Sequence, residues 1–360
     1  MNRGGRGGAT AVVAFFIASL TVACAALPVA DKAGGRADPV TLRMGTRDGP
    51  GAPGGQTVRE FARLVDDLSG GTVQIEPVWN AQGPAVRGWD AVIAGRVGTG
   101  DLDMALVTAT AWEPDAVPSL SALQAPLLVD TDRLLAEIAS PAVGSLLMRD
   151  LEAVGIRGLA LLPKSLRHPF SFGTPFRAPA DYDSRTIQLP GAASVVADTL
   201  RALGARPHAL GAAELRQAAL AGTIAGADAS LIHGSELPLG AAATGNVVLY
   251  AEMEVIAISR HVLDILDGES HSALTEAALQ TSAWAVTQVV PEPEAAARYC
   301  DNGGAVVIAS ESDLAAVAEA VRPVYESLLE DPSTAEAIAR IEALRRQLPP
   351  PAPIQPCGDP

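Results

Sequence analysis

The residue types that most often carry chemistry form no common catalytic motif in this chain. The sequence lacks the G-x-S-x-G turn that exposes a nucleophilic serine, the H-E-x-x-H helix that binds zinc, and the G-K-[ST] loop that holds phosphates. Gly98 and Gly100 form a G-x-G pair without the third glycine of a dinucleotide-binding turn. We therefore predict that the protein is not an enzyme and needs no cofactor.

The histidines and one acidic segment are not spaced like metal ligands. His261 and His271 lie ten residues apart, a spacing that does not return to the same helix face. Asp264, Asp267 and Glu269 crowd a predicted helix end, and a calcium-binding loop needs a different spacing. We predict no metal site, and we interpret these acidic residues as solvated surface.

The N-terminus has the pattern of an export signal. Arg3 and Arg6 form a short basic region, and residues 9–23 are mostly small and apolar. The run Thr-Val-Ala-Cys that ends at Cys24 is similar to a lipobox, in which Cys24 becomes the lipidated first residue of the mature chain. The alternatives are an ordinary cleaved signal peptide or an uncleaved anchor, although the apolar stretch is short of the roughly 20 residues that span a membrane. Each alternative places the mature protein outside the cytoplasm.

Two further cysteines, Cys300 and Cys357, remain in the mature chain. Outside the cytoplasm an isolated pair is more often bridged than free, so we predict a disulfide between them. The bridge would fix the proline-rich tail, residues 348–360, close to Tyr299. A reactive or metal-binding thiol is the alternative, and no histidine or acidic cluster nearby in the sequence supports it.

Composition limits the size and the partners of the folded part. Residues 24–39 lack an apolar period and are predicted to be a flexible tether, which leaves a folded region from about residue 40 to 348. A single core rarely grows to that size, so we expect two lobes, packed mainly with the Ala, Val and Leu side chains of a 48% hydrophobic chain. The full chain has a formal net charge of −15, which disfavours nucleic acid as a partner because no basic stripe can neutralise phosphates.

Apolar periodicity predicts strands that alternate with helices, which is typical of a parallel sheet with helices on its faces. The chain is predicted to begin with a strand over residues 40–45 and a helix over residues 58–68, which Thr57 and Glu60 would cap. Residues 186–230 follow the order strand, helix, strand, helix, strand, with Pro190, Gly204 and Gly222 at the breaks. Further strands are predicted over residues 73–78, 104–107, 158–162 and 255–259.

The segment 186–230, with the runs GDLDMALV at residues 100–107 and GIRGLA at residues 155–160, resembles the extracytoplasmic solute-binding proteins of TRAP-type transporters, in the dicarboxylate-receptor family. The resemblance covers roughly residues 40–290. It implies an α/β fold of the two-lobe, periplasmic-binding-protein-like kind (type II), in which each lobe is a mostly parallel sheet flanked by helices. It also implies a protein that closes over a small organic acid and delivers it to the membrane subunits of a TRAP-type permease.

We expect the chain to cross between the lobes more than once, which makes a hinge and places a ligand cleft between them. Residues 40–163 and about 251–290 are assigned to lobe 1. Residues 164–250 and about 291–347 are assigned to lobe 2.

The resemblance also marks positions where this chain departs from the family. The arginine that commonly holds the ligand carboxylate, in an LKIRVP-like strand, is replaced by Gln188, whose amide donates hydrogen bonds without a compensating charge. Residues 225–229 match a DGQEN run, so Asp228 stands at its acidic position and Ala229 at its ligand-facing asparagine. Ala212 stands where an aromatic residue is often found.

Other positions keep residues suited to binding. Arg167 lies at the entry to lobe 2, where the family places another arginine, and is predicted to bind the ligand; a surface arginine on a loop is the alternative. Trp79, Asn80 and Gln82 match a PNGQ-like turn at a strand end, where clefts form in α/β sheets. Trp79 is equally a candidate for core packing.

The pocket polarity lost at Gln188, Ala212 and Ala229 leaves two functions open. The first is a lipid-anchored receptor that binds a small organic acid and performs no chemistry. The alternative is a surface-anchored interaction or sensor protein on a solute-binding scaffold, with a ligand pocket that has diverged or been lost.

Overall fold

A computed structural model describes residues 39–83, 89–115, 117–189, 193–238 and 240–358. The predicted signal peptide, the predicted lipidation site Cys24 and nearly all of the predicted tether lie outside these residues. Within the described ranges, no helix combines the length and the apolar character needed to cross a membrane.

Strands and helices alternate along most of the chain. The strands are β1 (Val40–Thr46), β2 (Val73–Val78), β3 (Met104–Thr108), β4 (Ile156–Ser171), β5 (Thr186–Leu189), β6 (Arg206–Ala209), β7 (Gly226–Ala229), β8 (Ala242–Thr244), β9 (Tyr250–Ser259) and β10 (Ala305–Val307). The helices are α1 (Pro53–Ser69), α2 (Trp89–Gly98), α3 (Pro118–Ser121), α4 (Asp132–Ile138), α5 (Pro141–Leu147), α6 (Pro179–Tyr182), α7 (Ser194–Ala202), α8 (Ala212–Leu220), α9 (Arg260–Ile265), α10 (Gly268–Gln288), α11 (Glu292–Asp301), α12 (Glu311–Leu328) and α13 (Pro332–Arg345).

The first lobe is built on a sheet with the strand order β2-β1-β3-β9-β4. β1 pairs in parallel with β2 and β3, whereas β9 runs antiparallel to β3 and β4. Successive residues of β3 point to opposite faces, so Met104 and Leu106 join the core with α1 and α10 while Ala105 and Val107 join the core with α2. Both faces of this sheet are therefore covered, which explains why the first four residues of β3, residues 104–107, are all apolar.

The second lobe is built on the strand order β4-β7-β5-β6, and β8 pairs with both β4 and β10. β5 runs parallel to β6 and β7, and β4 runs antiparallel to β7. Ile187 and Leu189 of β5 pack with Val196 and Leu200 of α7 in a separate core. Each lobe therefore has its own sheet and its own buried apolar residues.

β4 and β9 join the two lobes. Residues 156–167 of β4 pair with β9 in the first sheet, and residues 168–171 pair with β7 and β8 in the second. The strand predicted over residues 158–162 is therefore the start of a strand of 16 residues. Its register shifts between Pro163 and Ser165, because proline has no N–H to donate to the ladder.

α12 contacts both lobes. Val317 and Val321 belong to the second-lobe core, whereas Tyr325 and Leu328 pack against the core of the first lobe. Pro323 lies inside the helix between these two pairs.

α13 corrects one predicted boundary. It packs on α3, α4 and α5, and Ala337, Ile338 and Ile341 are buried in the core of the first lobe. The expectation that residues 291–347 belong to lobe 2 is therefore wrong for α13, because the apolar face of this helix is covered by lobe 1.

α1 begins earlier than predicted. Pro53 occupies a first-turn position with its φ angle already fixed, and a carboxylate oxygen of Asp48 accepts a hydrogen bond from the backbone N of Gly54 at 2.9 Å. Thr57, expected to cap the helix, instead donates its hydroxyl to the backbone O of Pro53 at 3.2 Å within the helix. The N-terminus of α1 thus lies beside the end of β1.

The C-terminal tail is fixed to the second lobe. Cys300 and Cys357 form a disulfide across a Cα–Cα distance of 6.0 Å. The backbones of Val306 and Cys357 exchange hydrogen bonds of 2.9 and 3.0 Å, so the tail adds a bridge to the edge formed by β8 and β10.

Candidate functional site

Charged side chains gather where β4 and β9 pass from the first sheet to the second. Tyr250, Glu252 and Glu254 alternate along β9, so their side chains project from one face of the strand. On β4, Ser165 lies in register with Glu252, and Arg167 with Tyr250. The pairing of the two strands therefore brings a cation, two acids and a phenol together at the junction of the lobes.

Arg167 is held by two carboxylates. Nε donates to Oδ2 of Asp228 at 2.9 Å, Nη2 donates to the backbone O of Asp228 at 2.9 Å, and Nη1 donates to Oε2 of Glu252 at 3.2 Å. The hydroxyl of Tyr250 donates to the same Oδ2 of Asp228 at 2.8 Å, and its ring centroid lies 6.0 Å from Cζ of Arg167. The side chain of Arg167 is 14% exposed and that of Asp228 is 0% exposed, so this is a buried ion pair.

Glu252 is surrounded by cations. Ser165 donates its hydroxyl to Oε2 at 3.2 Å, while Nζ of Lys164 and Nη2 of Arg47 each lie 3.9 Å from Oε1. Burial alone would raise the pKa of Glu252, but the positive charges of Lys164, Arg167 and Arg47 outweigh burial and lower the pKa below its usual range. Glu252 is therefore ionised at neutral pH.

The first lobe contributes Arg47, which directly follows β1, and Asp90, which lies in the first turn of α2. Nη1 of Arg47 lies 3.5 Å from Oδ2 of Asp90. The same oxygen accepts hydrogen bonds from the backbone N of Thr108 at 3.2 Å and from its hydroxyl at 2.7 Å. Arg47 follows β1 and Thr108 ends β3, which are parallel strands, and ligands of open α/β sheets bind at the carboxyl ends of such strands.

Lys164 completes the group, which we call the charged cluster: Arg47, Asp48, Asp90, Lys164, Arg167, Asp228, Glu252 and Glu254. Nζ of Lys164 donates to Oε1 of Glu254 at 2.7 Å. Asp48 lies 3.9 Å from Nε of Arg47. The charged cluster draws side chains from β4, β7, β9, α2 and the segment after β1, and therefore from both lobes.

The predicted binding residues of the second lobe have different environments. Arg167 and Asp228 are in direct contact, as described above. Gln188 is buried, and its Nε2 donates to the backbone O of Leu210 at 3.0 Å. The amide predicted to stand at the family's arginine position is thus bonded to the backbone of its own lobe.

The predicted residues of the first lobe lie in the turn after β2. The backbone N of Ala81 donates to the O of Thr46 at 2.9 Å, which places this turn beside the end of β1. Trp79 is half-buried against the core under α1, and Asn80 is exposed with a φ of 51°, a left-handed conformation that asparagine tolerates. Oε1 of Gln82 is buried and has no hydrogen-bond partner within the described ranges.

Sequence reasoning missed Arg47, Asp90, Lys164 and Glu252. A signal existed for Glu252: two glutamates alternate in the otherwise apolar run of β9, and buried acids need partners. Arg47 and Asp90 carry no such signal, because each stands at an ordinary element end and only the fold brings them together.

Two further polar contacts join the lobes. Oε2 of Glu113, which follows β3, accepts a hydrogen bond from the backbone N of Ser194 in α7 at 2.7 Å. A carboxylate oxygen of Asp132 accepts one from the backbone N of Glu292 at 2.7 Å, and Oε2 of Glu292 lies 2.7 Å from Nε2 of the buried His168. Burial raises the pKa of Glu113, and it raises the pKa of Asp132 to about 6.

Two lobes joined by paired strands, with charged side chains from both at the junction, define a solute-binding architecture. The chain belongs to the family described as bacterial extracellular solute-binding protein, family 7, which residues 44–331 match. Proteins of this family are extracytoplasmic substrate-binding components of transporters and not enzymes. The predicted family is therefore confirmed.

Individual relatives agree with this assignment. The chain is 23% identical over 327 residues to the C4-dicarboxylate-binding periplasmic protein DctP of Rhodobacter capsulatus, covering 89% of this chain and 96% of that protein. It is 30% identical over 195 residues to the uncharacterized protein y4mM of Sinorhizobium fredii (54% of this chain), and it spans only 35% of that protein.

A solved structure shows the same fold. The TRAP periplasmic solute-binding protein from Roseobacter denitrificans with bound β-D-glucuronate has a TM-score of 0.71 and 20% identity, covering 84% of this chain and 99% of that one. The predicted two-lobe periplasmic-binding fold is thereby confirmed.

Proposed function

We propose that this protein captures a small organic acid outside the cytoplasm by closing its two lobes, and that it delivers the acid to a TRAP-type membrane permease. We also propose that lipid on Cys24 anchors it to the outer face of the cell membrane. Membership of family 7 supports the capture of a solute, and the lipobox-like run supports the anchor.

The observation that carries the proposal is the position of the charged cluster. Arg47 and Asp90 come from the first lobe and Asp228 from the second, while Arg167 and Glu252 lie on the strands that join them. A solute that bonds to both sides of this junction makes its full set of contacts only when the lobes are together. Its binding therefore favours the closed state.

The relatives favour an acid as the solute. DctP of R. capsulatus is named for C4-dicarboxylates, and the protein from R. denitrificans holds β-D-glucuronate. We propose that the residues predicted from the resemblance line the cleft: Trp79, Asn80, Gln82, Arg167, Gln188 and Asp228.

A ligand screen tests the proposal. The exported and processed protein is heated with a panel of organic acids, sugar acids, amino acids and aromatic acids, and its unfolding transition is measured. A ligand present at a hundred times its dissociation constant adds about 2.7 kcal/mol to the free energy of unfolding. A ligand that raises the stability supports a solute receptor. If no compound of the panel stabilises a cooperatively folded protein, the result contradicts this function.

Anchoring and delivery have their own tests. Cys24→Ser should abolish the incorporation of labelled fatty acid and release the protein from the membrane fraction. Delivery is measured as uptake of the identified solute by cells that carry the permease, with and without this protein. Equal uptake in both would remove the transport role and leave solute binding in place.

A surface-anchored interaction or sensor protein remains the second candidate. The contacts of Arg167 and Gln188 favour it, because both side chains are already bonded within the protein. A sensor would bind a solute in the screen without supporting uptake, and a pure interaction protein would bind none.

A further inference from the structure

The charged cluster carries more negative than positive groups. Three cations face five carboxylates, so two negative charges remain when all of them are ionised. Each cation already lies within 3.9 Å of at least two of the acids. His233 adds little positive charge at neutral pH, because burial lowers its pKa below the ordinary histidine value of 6.5.

In each of two carboxylates of the charged cluster, one oxygen has no hydrogen-bond partner within the described residues. Oδ1 of Asp90 and Oδ1 of Asp228 are buried and accept no hydrogen bond from any residue in the described part of the chain. Asp90 is 8% exposed and Asp228 is 3% exposed. A buried acceptor without a donor costs free energy, so a donor on a ligand would gain more here than at the surface.

The charged cluster is unfavourable for the carboxylate of a ligand. Arg167 donates to Asp228 and Glu252, so an incoming carboxylate must displace one of them or approach them with a like charge. Gln188, which we predict to stand at the position of the family's arginine, is bonded to Leu210 and brings no charge. A cationic nitrogen meets neither obstacle.

We propose that the solute is an organic acid with a cationic nitrogen, such as an amino acid or an amino sugar acid, and that the charged cluster receives this nitrogen at an unpartnered carboxylate oxygen, Oδ1 of Asp90 or Oδ1 of Asp228. The carboxylate of the solute binds outside the charged cluster. Arg167 then acts as a positioning residue that holds Asp228. This inference rests on the proposed function, since it specifies which solute the cleft takes.

Matched sets of acids test the inference on the exported protein. Each set shares one carbon skeleton and differs at a single carbon, which carries hydrogen, hydroxyl or ammonium: succinate, malate and aspartate; butyrate, 2-hydroxybutyrate and 2-aminobutyrate; gluconate and 2-amino-2-deoxygluconate. Dissociation constants are measured by calorimetry. In the sets that bind, we expect the amino member to bind about ten-fold or more tightly than the member with hydrogen or hydroxyl, because hydrogen bonds between charged groups are the strong ones.

Asp228→Asn and Asp90→Asn link the preference to the charged cluster. Each keeps the size of the side chain and an acceptor oxygen but removes the negative charge, so the preference for the amino member should fall about ten-fold. Asp198→Asn is the matched control, because Asp198 is an exposed acid of the second lobe that pairs with Arg201 at the surface. If one variant fails to fold, the other variant still tests the inference. The order of affinities within each set, measured on the unmodified protein, tests it as well.

The outcomes separate the two proposals. Tighter binding of the hydrogen or hydroxyl member, or an unchanged preference in both folded Asn variants, overturns the inference and leaves the receptor function intact. Failure of every compound in the sets and in the wider screen overturns the proposed function itself.

Discussion

Oδ2 of Asp228 lies 2.9 Å from Nε of Arg167 and 2.8 Å from the hydroxyl of Tyr250, so one carboxylate oxygen joins β4, β7 and β9. The charge of Asp228 therefore stabilises the junction of the two sheets as well as the candidate site. We therefore expect substitutions of Asp228 or Arg167 to change folding and binding together.

Arg167→Ala should destabilise the protein strongly. The substitution leaves the carboxylates of Asp228 and Glu252 buried without the cation that pairs with both. Removing one partner of a buried ion pair lowers the free energy of unfolding by about 3–5 kcal/mol. Denaturant unfolding measures the loss. Arg201→Ala, which removes an exposed partner of Asp198, should cost no more than about 1 kcal/mol. Similar losses for the two variants would show that Arg167 is not a structural cation.

Asp132 should make the protein less stable as pH rises through about 6. Burial, opposed in part by the backbone N–H of Glu292, raises the pKa of Asp132 from 3.8 to about 6 in the folded protein. A raised carboxyl pKa contributes stability that is fully present below the unfolded value of 3.8 and is lost as pH passes the folded value of about 6. Melting temperatures across this interval should fall less for Asp132→Asn than for the unmodified protein. If the melting temperatures of the two proteins fall equally with pH, Asp132 is not the group that titrates.

Glu113→Ala should favour the open arrangement of the lobes. The carboxylate of Glu113 accepts a hydrogen bond from the backbone N of Ser194 across the two lobes, and hydrogen bonds to charged groups contribute about 1.5–3 kcal/mol. We expect a larger radius of gyration by solution X-ray scattering in the absence of solute, and affinity about ten-fold weaker because closure then costs more. Glu319→Ala, at an exposed site on α12, is the control. Unchanged scattering by Glu113→Ala would show that this contact does not hold the lobes together.

Cys357→Ser should destabilise the second lobe and free the tail. The disulfide to Cys300 closes a loop of 57 residues, for which the chain-entropy relation gives about 4 kcal/mol of stabilisation. Limited proteolysis should cut the tail before the body of the variant and leave the tail of the oxidised protein intact. Equal resistance would mean that the backbone bridge between Val306 and Cys357 holds the tail without the sulfurs.

Local patterns predict the strands of the first lobe well. The strands predicted over residues 73–78 and 104–107 match β2 and β3 to within one residue at each end, because their apolar residues stop at turn residues. β4 is predicted only at its start, since Pro163 and the polar residues after it are typical of a strand end. Its continuation depends on hydrogen bonds from β9 and β7, which lie far away in the sequence.

The site was predictable only where the family supplied a template. Arg167 and Asp228 come from that resemblance, but their mutual contact joins residues 61 positions apart and no local pattern contains it. Gln188 is recognisable as a departure, whereas its bond to Leu210 is not. Arg47 and Asp90 depend entirely on how the end of β1 and the start of α2 face β9.

α12 limits how the lobes can separate. Its N-terminal half is buried with Val317 and Val321 in one lobe, and its C-terminal end packs against the other through Tyr325 and Leu328. A continuous helix is stiff, so a rotation of one lobe relative to the other must either break the packing of α12 on one lobe or bend α12 between the two packed segments. Pro323 lacks the N–H that would bond back along the helix, so flexing costs least there. If the lobes open as we propose, α12 must bend, and we expect Pro323 to determine how much free energy that bending costs.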